Sequence, residues 1–87
     1  MQHIEIASRT GVPLAHIESL LRGSATGAIA SKLGVSMMAV ENFVRGSATA
    51  DMANRLGMSM SAAEELARTG GPNGVAGILI GLLLVAA

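Results

Sequence analysis

The sequence predicts an all-α chain of three tandem helix pairs followed by a hydrophobic C-terminal helix. Three observations predict it. When positions 4–26, 27–49 and 50–72 are aligned, the same residues fall in the same columns without insertion or deletion. Ala7, Ala30 and Ala53 match, as do Gly11, Gly34 and Gly57, then Glu18, Glu41 and Glu64, and Arg22, Arg45 and Arg68. A fixed period of this kind marks units that bury their apolar faces against one another. Within each unit the apolar residues recur three and four positions apart, the spacing of a helix face. Glycine, serine and threonine then punctuate the pattern where helices stop and start.

The elements follow in order. In the second unit, Ile29 and Leu33 share one face of a first helix, and Val40, Phe43 and Val44 share one face of a second. Gly34 between them suits the left-handed conformation that ends a helix. Ser36, and Ser59 in the third unit, are placed to cap the second helices. Pro13 holds that column in the first unit, where a helix's first turn needs no amide hydrogen. Arg-Gly-Ser-Ala-Thr closes the first two units at 22–26 and 45–49, leaving Thr26 and Thr49 as caps for the helices that follow. The repeat domain is expected over 1–69, the Gly/Pro/Asn segment 70–74 as a flexible break, and 75–87 as an apolar tail.

Composition bounds the core and the partners. At 87 residues, 51% of them hydrophobic, this is one domain near the lower limit for a self-sufficient core. Phe43 is the sole aromatic, so the core is built from small aliphatics and six methionines. That leaves no aromatic platform for stacking bases. There is no cysteine, which excludes disulfides and thiolate metal sites. Six basic residues balance six acidic ones, with a pI near 6.7, so no excess of cations draws the chain to nucleic acid. The N-terminal residues lack the basic and apolar regions of a secretory signal.

The charges keep to the repeat. All six basic residues occupy two columns: Arg9, Lys32 and Arg55, then Arg22, Arg45 and Arg68. The second set follows Glu18, Glu41 and Glu64 by four positions, an order worth about 0.2–0.5 kcal/mol per pair on a helix surface. The first set sits near its own helix C-terminus, where a cation favours the dipole. Both sets are expected to be solvated.

The spacing within each unit resembles the helix-turn-helix motif of DNA-binding regulators. The second unit carries it throughout, from Ile29-Ala30-Ser31-Lys32-Leu33-Gly34-Val35-Ser36 to Val40 and Phe43. The first has Thr10 where an apolar residue is usual, and the third has the small Ala63 in the aliphatic slot. The resemblance covers about residues 4 to 69 and implies two helices packed at a steep angle, with the start of the second entering a major groove. Carried over to this chain, it assigns Ser36 and Asn42 to base edges and Lys32 and Arg45 to phosphates. None of the base-reading positions is Arg, Lys or Gln, and each set contains Glu, which phosphates repel. Apolar side chains stand there instead: Leu14, Met37, Met38 and Met60. Methionine serves adaptable protein-binding surfaces, so these four form an expected protein-contact surface, unless they pack on a neighbouring unit.

The tail from Thr69 onward carries no charge. As a helix from Gly74 it spans about 21 Å at 1.5 Å per residue, short of the roughly 30 Å hydrocarbon core that normally needs about 20 residues. Gly77 and Gly81 make a Gly-xxx-Gly pair permitting close helix approach, and Leu82, Leu83 and Leu84 follow as association residues. Membrane insertion, burial against copies or a partner, and packing onto the chain's own units are the three open destinations. Removing Val75–Ala87 is expected to leave a soluble, monomeric, still helical protein.

No catalytic constellation appears. His3 and His16 lack ligand partners at metal spacing, Glu64 and Glu65 point apart on a helix, and Gly-Ser-Ala-Thr lacks the Lys and preceding strand of a phosphate loop. The reading is a non-enzymatic assembly or adaptor protein without cofactor or metal. It self-associates, or joins a membrane or a multisubunit particle such as a filament, shell or virion, through its tail. Its expected location is intracellular or particle-associated, with the tail as a membrane anchor. The alternative is a helix-turn-helix DNA-binding protein tethered by the tail.

Overall fold

The computed structural model describes residues 2–86, apart from the side chain of Pro72. Met1 and Ala87, the outer limits of the expected domain and tail, lie outside the described residues. The protein is all-helical, with no strand among the described residues. Its order is α1 (His3–Thr10), α2 (Leu14–Leu21), α3 (Gly27–Leu33), α4 (Met37–Val44) and α5 (Ala50–Leu56), then a helical run over Met60–Ala86. Gly71 divides that run into α6 (Met60–Gly71) and α7 (Asn73–Ala86), bent by 120°.

The helix ends are written in local chemistry. Thr26, Ser36, Thr49 and Ser59 accept through their hydroxyls from the amides of Ile29, Ala39, Met52 and Ala62, at 3.4, 3.1, 3.3 and 3.2 Å. Each bond satisfies an amide that the first turn leaves orphaned. The first helices end on Gly11, Gly34 and Gly57, with φ of 76°, 77° and 71°. The Arg-Gly-Ser closures make a second stop. Gly46 donates to Phe43 O at 3.1 Å and Ser47 to Asn42 O at 2.8 Å, the paired bonds that terminate a helix around a left-handed glycine. Thr10, at a usually apolar position, is buried but satisfied. Its hydroxyl donates to Ile6 O at 2.8 Å and accepts from the Val12 amide at 3.3 Å.

The 70–74 segment holds the sharp bend between α6 and α7. Thr69 stands in the column where Gly23 and Gly46 stop the earlier helices, so nothing left-handed ends α6 there. Thr69 instead donates its hydroxyl to Glu65 O at 2.8 Å within the helix. The chain turns only at Gly71, with φ 67° and ψ 175°, and resumes helix two residues later.

Nor does the tail stand apart. Val75, Ala76, Leu79, Ile80 and Leu83 are buried in one cluster with Ile6, Ile17, Leu20, Ile29, Leu33, Val40, Phe43 and Met52. The reason is in the register. Counting 23 positions on from α5, Val75 falls in the column of Ile6, Ile29 and Met52, Ala76 in that of Ala30 and Ala53, and Leu79 in that of Leu33 and Leu56. Helix α7 thus carries a fourth copy of the first-helix face. Where Gly11, Gly34 and Gly57 stop the others, it has Ile80, so it runs on and adds Leu83 to the core. No helix among the described residues is alone long and apolar enough to cross a membrane; α6 and α7 reach that composition only together, across their bend.

Candidate protein-contact surface

The second helices are anchored by their inner faces. Ile17 and Leu20 on α2, Val40 and Phe43 on α4, and Ala63 and Ala67 on α6 are buried. One turn of helix turns these residues inward and the starts of the same helices outward. Met37, Met38 and Met60 are accordingly 44%, 67% and 41% exposed, among the few large apolar side chains the fold leaves in water. Met37 and Met60 share a column with Leu14, which is half-buried beside an open groove of about 400 Å³ bounded by Gln2, His3, Ile4 and Glu18. Glu18 and Glu64 are exposed and Glu41 half-buried, so these helix starts present apolar and acidic groups and no Lys or Arg.

The residues assigned to nucleic acid sit in different local settings. The Ser36 hydroxyl is committed to capping α4, and the Ser36 amide donates to Asp51 Oδ2 at 3.3 Å. A carboxylate therefore occupies the helix start where a phosphate would approach. Asn42 is half-buried. Lys32 reaches back towards α1, its Nζ 3.7 Å from where a Cβ on Gly11 would stand. Arg45 lies at the opposite end of α4 from Ser36, about 13 Å along the helix axis.

The tail residues divide in two. Leu83 is buried in the chain's own core, which corrects its assignment to association, and Leu82 and Leu84 are half-buried against the same core. Gly77 and Gly81 face outward, with nothing within 4 Å of a Cβ built on either.

The charged columns lie mostly at the surface but do not all form the pairs expected. Glu41 and Arg45 are 3.8 Å apart, but Arg68 pairs with Glu65 rather than Glu64, and Arg22 donates to Ser19 Oγ at 3.4 Å. Arg55 donates from Nε to the carbonyl of Leu33 at 2.7 Å, capping the helix of the preceding unit rather than its own. Sequence spacing pointed to neighbours along one helix and missed this partner 22 residues away. Among the described residues, no three His, Cys, Asp or Glu side chains gather as a metal would require. Compared with known proteins, the chain matches no family model, no curated protein and no solved structure.

Proposed function

We propose that this chain is a non-enzymatic assembly protein that associates with other copies of itself through the exposed starts of its second helices. The exposure of Met37, Met38 and Met60 carries this reading. In a chain that buries even Ala39, Ala63 and Ala76 completely, large flexible apolar side chains left in water are the surface with most to gain from a partner. The contact is made by these helices rather than by the tail, because the apolar face of α7 is already used in the core. An acidic rim without Lys or Arg supports protein over phosphate backbone as the contacting chemistry.

The test is sedimentation equilibrium on the wild-type chain and on a variant carrying Met37→Gln, Met38→Gln and Met60→Gln. The wild-type protein should associate in the micromolar range and the variant should be monomeric with an unchanged circular-dichroism spectrum. A wild-type protein that stays monomeric at several hundred micromolar would sink the proposal. The DNA-binding alternative has less support, with Ser36 committed to capping and Asp51 beside it.

A further inference from the structure

We infer that the cleft between the ends of α4 and α6 binds a single phosphate group, held by Arg45 and Arg68. The inference stands apart from the association proposed above. The cleft has a volume of about 170 Å³ and is lined by Val44, Arg45, Gly46, Ala67, Arg68 and Gly71. Its lining carries two guanidinium groups and no carboxylate. Arg45 and Arg68 occupy the same column of adjacent units, so the packing of one unit on the next sets two like charges beside one concavity.

Neither cation is fully spent. Arg45 stands 3.8 Å from Glu41, beyond hydrogen-bond reach, and Arg68 uses one nitrogen on Glu65. A guanidinium has five donors, and these side chains are 72% and 66% exposed, so both can turn over the cleft. Gly46 and Gly71 hold left-handed turns at its wall, with φ of 95° and 67°, and add no side chain to close it. The carbonyl ends of α4 and α6 also point here and oppose an anion, while the start of α7 just beyond Gly71 favours one. Binding therefore rests on the two arginines, whose planar forks match the oxygens of a phosphate.

Arg22 supplies an internal control. It occupies the same column in the first unit, but donates to Ser19 and is not part of this cleft. The wild-type protein is titrated with inorganic phosphate at constant ionic strength, set with sodium chloride, while the amide resonances of Gly46 and Gly71 are followed by NMR. Both should shift along one saturable curve. Arg45→Gln and Arg68→Gln should each weaken binding by roughly tenfold or more, the scale of one lost charge-assisted hydrogen bond, and Arg22→Gln should leave it unchanged. Both arginines are exposed, so the variants keep the fold, which circular dichroism verifies. Shifts that do not saturate, or an equal loss in Arg22→Gln, would overturn the inference.

Discussion

Arg55 and Leu33 tie the third unit to the second: the Arg55 Nε donates to the Leu33 carbonyl at 2.7 Å. Leu33 is the last residue of α3, so its carbonyl is one that the helix itself leaves unpaired. A partly buried cation therefore satisfies an acceptor and opposes the negative end of α3 in one contact. Lys32 makes the analogous approach from the second unit to Gly11, the residue that ends α1. Arg9, in the first of the three units, pairs with Glu5 at 3.1 Å on its own helix.

Arg55→Ala should lower stability by about 1–3 kcal/mol, the usual scale for losing a charge-assisted bond to a carbonyl that becomes unsatisfied. Arg9→Ala, which removes only an exposed pair, should cost less than about 1 kcal/mol. Urea denaturation of the two variants measures the difference. Equal midpoints would mean that the contact between units contributes nothing.

Ala30 is buried in the core and Ser31, beside it, is exposed. Ala30→Leu should overpack the contact between helices and cost about 1–3 kcal/mol, while Ser31→Ala should lie within about 0.5 kcal/mol of the parent. For a domain with about 5 kcal/mol in total, the first change should bring a fall in melting temperature of several degrees or more. Equal effects would show the helix faces to be wrongly assigned.

Removing Val75–Ala87 should not give the well-folded monomer that a detached tail would allow. It takes Val75, Leu79 and Leu83 out of the cluster that holds Ile6, Ile17 and Ile29. The truncated chain should bind a hydrophobic dye and lose its cooperative thermal transition. The point variant Leu79→Ala should cost about 2–5 kcal/mol, as for other large-to-small core changes. A truncated chain with a sharp native-like melt would exclude α7 from the core.

Gly34→Ala tests the left-handed stop between α3 and α4. Its φ of 77° disfavours any side chain, although nothing lies within 4 Å of the added methyl. The cost should be about 1–2 kcal/mol from backbone strain alone. Differential scanning calorimetry should show a lower midpoint for Gly34→Ala than for Gly27→Ala, since Gly27 lies in helical backbone with the same open space around it.

The helix stops and caps were legible in the sequence because they are decided within a few residues: Gly34 ends a helix and Ser36 begins the next on local grounds alone. The outward turn of Met37, Met38 and Met60 was legible too, since helical spacing divides inner from outer faces. The destination of the tail was not. Its Val75, Ala76 and Leu79 follow the core columns, but the glycines at 70, 71 and 74 resemble a linker, and the loss of the stop at Ile80 hides the match. The partner of Arg55 was illegible for another reason: it depends on how one unit sits against the next, which spacing along a single helix does not contain.

The placement of α7 has a consequence for how the chain is made. Helix α7 leaves the ribosome after every helix it packs against. Each earlier unit can form its caps and turns as it emerges, because those bonds are local. Their shared interior, Ile6 included, stays open to water until residues 75–83 arrive to fill it. During that interval the nascent protein is a string of half-buried helix pairs, a state in which exposed apolar faces invite chaperones or wrong partners. The speed with which α7 follows the helices before it thus bears directly on how much of the chain reaches its native state.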